Sequence, residues 1–271
     1  MRVLFWNLRS KPLEKVVARI AAEHQADLVV LCEHGERVSA HVAAINKLDQ
    51  ARPARLVHAV LPNRSTLATI SKLTDGLVVP VIEERHCVIY AISPPKGDEL
   101  LLACVHLSSP MCQSERDLMC LSQDAAGIIR DQEKQRGHRR TLVVGDFNMD
   151  PYHPGMIASH AFHAVMDRNL AMEESRVIQN REHFFFYNPR WSRLGDESLG
   201  PPGTYFYRKA SPECHFWHAW DQVLVRPSLL KQFNSSKFSV ISRVGKSSLL
   251  DSSGRPNRKT FSDHLPIVFE I

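Results

Sequence analysis

Six segments of the chain place polar or acidic side chains at the end of an apolar strand: Phe5-Trp6-Asn7, Val30-Leu31-Cys32-Glu33, Val105-His106-Leu107, Gly145-Asp146-Phe147-Asn148, Trp220-Asp221-Gln222 and Ser262-Asp263-His264. Each has an ordinary reading on its own. Asn7, Asp146 and Asn148 could shape turns, Glu33 could be a solvated strand end, and His106 a satisfied core histidine. Together they imply chemistry. Carboxylates gathered at neighbouring strand ends repel and desolvate one another unless a cation or protons compensate. Hard oxygen donors, without paired Cys or clustered His, suit Mg2+ or Mn2+ better than zinc. A carboxylate beside a histidine also suits proton transfer.

Several competing chemistries lack their residues. No G-x-S-x-G elbow is present. Gly245-Lys246-Ser247 resembles the end of a phosphate loop, but Val240 stands where that motif requires glycine. There is no Cys-x-x-Cys pair. Cys214, His215 and His218 could bind zinc, yet no second ligand pair accompanies them at a suitable spacing.

The polar groups need a scaffold, and the apolar pattern outlines one. Arg2 to Asn7 reads as a buried strand, Leu13 to Ala22 as a helix with Pro12 near its start, and Asp27 to Cys32 as a second strand. That is a βαβ unit, with helices covering a sheet. Short runs at Leu56–Leu61, Thr66–Ile70, Leu77–Ile82, Cys87–Ile92 and Leu100–Leu107 alternate with turns such as Pro62-Asn63 and Asp75-Gly76, which predicts antiparallel strands. Helical spacing returns over Ser114–Arg136 and stops near Gly137. Further strands are expected at Thr141–Val144, Asp221–Val225 and Pro266–Ile271, with an irregular aromatic region from His183 to Trp220 between them.

In this order the motifs resemble the endonuclease/exonuclease/phosphatase superfamily, which includes pancreatic-type deoxyribonuclease, exonuclease III-like repair nucleases, tyrosyl-DNA phosphodiesterases, sphingomyelinases and inositol phosphatases. The resemblance spans Arg2 to Ile271. It implies a four-layer α/β sandwich, two packed mixed β-sheets flanked by helices. It implies Asn7, Glu33 and Asp263 at a metal, with Glu33 the main ligand. Asp146 would orient or deprotonate the attacking water, and Asn148 would hold it or the phosphate. His264, oriented by Asp221, would contact the scissile phosphate. His106 matches the histidine that binds phosphate or protonates the leaving oxygen in deoxyribonuclease-like branches.

Composition agrees with an enzyme-sized globular domain and bounds its partners. The chain has 271 residues, 44% hydrophobic and 23% charged, with only 12 Gly and 16 Pro; disordered and repetitive classes are excluded, and one domain over residues 1–271 is expected. No apolar stretch reaches the roughly 18 residues of a membrane span. Six Cys at scattered spacings, without a visible secretory signal, predict reduced thiols and a cytosolic location. Net charge is +5, but Arg226 to Thr260 holds eight basic residues against Asp251 alone, as a polyanion-binding edge would. Asn188, Arg190 and Tyr205 are expected in loops beside the site. Aromatics interleaved with Arg181, Arg190, Arg193, Arg208 and Lys209 suit stacked bases and phosphates, although ordinary packing explains most of these aromatics as well. The expected activity is metal-dependent phosphodiester hydrolysis, most directly of DNA or RNA. The alternatives are a small or lipid phosphate substrate, or a non-catalytic nucleic-acid-binding module.

Overall fold

Val3, Leu4, Phe5 and Trp6 are all fully buried, which a strand achieves only with apolar layers on both faces. Strand β1 (Arg2–Asn7) therefore runs through the middle of a six-stranded sheet. Helix α1 (Glu14–Glu23) leads from it to the parallel strand β2 (Leu28–Cys32), placing Asn7 opposite Cys32. This is the βαβ unit expected from the apolar spacing. Helix α2 (Val38–Leu48) packs on α1, and the sheet continues through antiparallel strands β3 (Arg55–Val57) and β4 (Leu67–Ser71). Strands Ile267–Glu270 and Ser239–Val240 complete it on the other side of β1.

The computed structural model describes residues 1–57, 66–111, 113–208, 210, 212 and 214–271. The expected strand over Leu56–Leu61 is therefore seen as Arg55–Val57; the rest of it, and Pro62-Asn63, lie outside the described residues, as do Cys112 and Lys209.

The second sheet has seven strands: β5 (Val78–Glu84), β6 (Cys87–Ile92), β7 (Leu100–His106), β8 (Thr141–Asp146), then Asp221–Val225, Phe186–Tyr187 and Ala164–Val165. Helix α3 (Glu115–Arg136) connects β7 to the parallel β8. Its ends follow local chemistry: Ser114 and Asp117 form a reciprocal cap at the start, and Gly137 takes φ 69° at the end, a conformation that favours glycine.

Alternation along the strands sorts the core into layers. Val88, Tyr90 and Ile92 of β6 join the core shared with the first sheet, whereas Cys87, Ile89 and Ala91 pack in a cluster with Leu118, Ala125, Ala126 and Ile129 of α3. Val17, Ile20 and Ala21 of α1 belong to the first core. The four layers are helices α1 and α2, the six-stranded sheet, the seven-stranded sheet and α3, so the two mixed sheets and flanking helices are as expected.

Candidate active site

The topology turns the ends of the central strands of both sheets to one place. β1 ends at Asn7 and β2 at Cys32, with Glu33 next. In the other sheet His106 pairs with Asp146, and Asp146 with Asp221. Gly145 sits one residue before that end because a Cβ there would lie 1.9 Å from the Val105 carbonyl oxygen. Glu33 and Asn148 hold left-handed backbone, φ 49° and 51°, a region that non-glycine residues adopt at some cost and that clusters at functional sites.

Asn7 joins the sheets. Its Nδ2 donates to Glu33 Oε1 and to Asp146 Oδ2, both at 3.0 Å. The other Asp146 oxygen accepts from the Asn148 backbone at 2.9 Å, and Asn148 Nδ2 donates to the Leu107 carbonyl at 2.8 Å. His106 Nε2 lies 3.6 Å from Glu33 Oε1, and its Nδ1 is 2.6 Å from Thr66 Oγ1.

His264 completes the cluster from the loop before the last strand. The Ser262 hydroxyl donates to the Asn7 carbonyl at 2.6 Å and accepts from the His264 backbone at 3.1 Å, while Trp6 Nε1 donates to the His264 carbonyl at 2.8 Å. The ring thus sits with Nδ1 2.9 Å from Asp221 Oδ2 and Nε2 3.8 Å from Asp146 Oδ2. Thr204 supports the same assembly, its hydroxyl accepting from the Asp221 backbone at 3.2 Å.

Electrostatics follow from this packing. Burial opposes charge on His264, but Asp221 and Asp146 outweigh it and raise its pKa to about 10, so it is an imidazolium at neutral pH. Burial raises the Asp146 pKa, aided by Asp221 and opposed by His264 and His106. The Cys32 thiol is pushed well up by burial and by Asp146, Glu33 and Asp221.

The donors fit a hard divalent cation. Carboxylates of Glu33 and Asp146 meet on one Asn7 amide group, and Asp221 Oδ1 is buried without a hydrogen-bond partner among the described residues; this acidic excess calls for positive charge beyond His264. Two groups of ligand atoms, each mutually within 4.8 Å, lie here: Asp146, Asp221 and His264, and Cys32, Glu33 and His106. Asp263 belongs to neither group, and Arg9 holds its carboxylate at 3.2 Å.

The remaining expected residues divide. Tyr205 is at the site: it bridges to His264 through the backbone, and its ring is 4.8 Å from the His264 ring and stacked on Trp220 at 4.4 Å. Asn188 and Arg190 are fully buried, which corrects the expectation that they are loop groups facing a ligand. Asn188 Nδ2 donates to Gln222 Oε1 at 2.7 Å, bracing the strand that carries Asp221, and Arg190 donates to the Arg193 carbonyl at 2.9 Å, tying its own loop together. The basic window also splits. Arg226 is internal, paired with Glu133 at 2.8 Å, whereas Arg255 and Arg258 line a cavity of about 340 Å3 with Asp263, Arg208 and Tyr207. Sequence reasoning missed Asp150, which accepts from the Ala219 backbone at 2.7 Å and holds His218 Nδ1 at 2.8 Å. Its only signal was a place before Pro151, which reads as a turn. Cys214, His215 and His218 form no group of three ligand atoms among the described residues.

The sequence matches no family model and no curated protein. Solved structures do match over the whole chain. The endonuclease domain of TRAS1, a telomere-specific non-LTR retrotransposon, is 14% identical with a TM-score of 0.52, covering 100% of this chain and 97% of that one. The 3' phosphatase NExo from Neisseria, bound to product DNA hairpin, is 15% identical with a TM-score of 0.54, covering 100% and 99%. An endonuclease/exonuclease/phosphatase family protein from Leptotrichia buccalis is 13% identical with a TM-score of 0.55, again covering 100% and 99%. From the first strand to the last, the chain has the fold of the endonuclease/exonuclease/phosphatase superfamily.

Proposed function

We propose that this chain is a divalent-metal-dependent phosphodiester hydrolase acting on nucleic acid. The observation that carries the reading is the Asn7 bridge, which draws Glu33 and Asp146 together beside an imidazolium held by Asp221. A phosphodiester under attack by water gathers negative charge on its non-bridging oxygens and on the leaving oxygen.

Each residue then has a task. His264, charged and oriented through Nδ1, presents Nε2 to a phosphate oxygen. Asp146, fixed by Asn7 and Asn148, takes the proton of the attacking water. Asn148, with one amide hydrogen on Leu107, positions that water. His106, turned by Thr66, faces the Glu33 side where a leaving oxygen is protonated. Glu33 and Asn7 would hold the Mg2+ or Mn2+, with Asp263 adding negative charge alongside. The ion supplies Lewis-acid stabilisation of phosphate and leaving alkoxide when bound.

Nucleic acid is favoured over a small phosphate by what flanks the cleft. Arg9, Arg208, Arg255 and Arg258 offer cations near Asp263, and Tyr205 with Trp220 offers a stacked aromatic surface beside His264. The TRAS1 endonuclease domain and NExo with its DNA hairpin support the same substrate class. The test is a panel of single- and double-stranded DNA, RNA and inositol phosphates with Mg2+ or Mn2+, products resolved by size, beside Glu33→Ala. Shortened polynucleotides from wild type alone support the proposal. Release of phosphate from the small substrates only, or equal cleavage by the variant, overturns it.

A further inference from the structure

One side chain inside the cleft takes no part in the reaction proposed above. Cys32 ends β2 opposite Asn7, and its Sγ lies in one group with a Glu33 carboxylate oxygen and a His106 ring nitrogen, all within 4.8 Å of one another. Sulfur, imidazole nitrogen and one carboxylate oxygen make a borderline-soft donor set, which matches Zn2+ and not Mg2+.

The group is already arranged for an ion. Thr66 Oγ1 at 2.6 Å from His106 Nδ1 fixes the ring so that Nε2 faces Glu33 Oε1 at 3.6 Å; hydrogen bonds of this kind orient metal-binding histidines. Cys32 is itself fully buried, but the side chains of Glu33 and His106 are 36% and 19% exposed, so an ion can enter from their side and close onto the sulfur. Three protein ligands leave a fourth position for water.

We propose that Cys32, Glu33 and His106 form an inhibitory site for Zn2+ or a similarly soft divalent ion. Glu33 is shared with the hard-ion position, so the two ions exclude one another, and His106 is withdrawn from the leaving oxygen. Binding exchanges a proton for the metal: the Cys32 S–H bond breaks, the proton leaves to solvent, the metal–sulfur bond forms, and no electron is transferred. The inhibitory consequence rests on the hydrolase reading; occupation of the site does not.

Cobalt(II) substitution tests occupation directly, because a cobalt–thiolate bond gives a charge-transfer absorption in the near ultraviolet. The band is expected in wild type and is absent from both Cys32→Ser and Cys32→Ala, which retain Cys120 and Cys214 as internal controls. No band in wild type, or an unchanged band in folded variants, overturns the site even if the chain hydrolyses nothing. The second readout is Zn2+ inhibition of Mg2+-supported hydrolysis. The half-inhibitory Zn2+ concentration rises at least about tenfold in the Cys32 variants, while their activity with Mg2+ alone stays at the wild-type level. Equal Zn2+ sensitivity overturns the inhibitory role.

Discussion

The Asp221→Asn substitution isolates the electrostatics of the site with little change in shape. Asp221 is fully buried, and its Oδ2 is 2.9 Å from His264 Nδ1. The His264 pKa of about 10, against an ordinary 6.5, corresponds to roughly 5 kcal/mol in favour of the imidazolium at 1.36 kcal/mol per pH unit. Burial opposes that charge; Asp221 and Asp146 maintain it. With the Asp221 charge and its hydrogen bond removed, only Asp146 and Asp263 still oppose burial, and the His264 pKa falls. The rate at pH 7.5 is expected to fall about 10²–10⁴-fold, and the alkaline limb of the pH–rate profile to move from near 10 to well below it. Stability follows the same sign. The folded pKa lies above the unfolded one, so the pair's stabilisation is complete below about pH 6.5 and disappears as pH rises through about 10. Denaturant midpoints of wild type therefore decline across that interval, while those of the variant stay flatter. An Asp221→Asn enzyme with an unchanged alkaline limb would refute the assignment of the cation to His264.

Three further outcomes follow from the packing. Glu133→Ala leaves the buried Arg226 guanidinium without its bidentate partner at 2.8 and 2.9 Å, and should cost about 3–5 kcal/mol in chemical denaturation; a loss below about 1 kcal/mol would contradict it. Gly145→Ala drives a methyl against the Val105 carbonyl oxygen, and should separate β7 from β8 at a cost of about 3 kcal/mol or more, read as a collapse of the thermal midpoint. Arg255→Ala and Arg258→Ala should weaken binding of any DNA sequence equally and each reduce the salt slope by about one, measured by fluorescence anisotropy; an unchanged slope would remove these residues from the substrate path.

The parts of the site that lie on regular strands were legible in the sequence. Asn7, Glu33, His106 and Asp146 each follow an apolar run, Asp221 opens one in an antiparallel strand, and register carries such strand ends to a common edge. Helix α3 was legible for a similar local reason, since Ser114 and Gly137 mark its ends. Helix α2 went unread because its apolar residues are spread around the helix and its buried positions are His41 and Ile45, one of them polar, while it packs chiefly against α1. Loop residues were the hardest. Asn188 and Arg190 carry polar groups of the type that contact ligands, but their partners, Gln222 and the Arg193 carbonyl, are set by tertiary folding that no short window encodes. The basic window misled in part for the same reason: Arg226 finds Glu133 about ninety residues away and is a core residue.

The most direct test of the central claim is Mn2+ binding followed by electron paramagnetic resonance in wild type and Glu33→Gln. Stoichiometric bound Mn2+ is expected in wild type, displaced by excess Mg2+, with a loss of at least about tenfold in affinity in the variant. Bound Mn2+ that is indifferent to Glu33, or no bound Mn2+ in the folded wild-type protein, would contradict it.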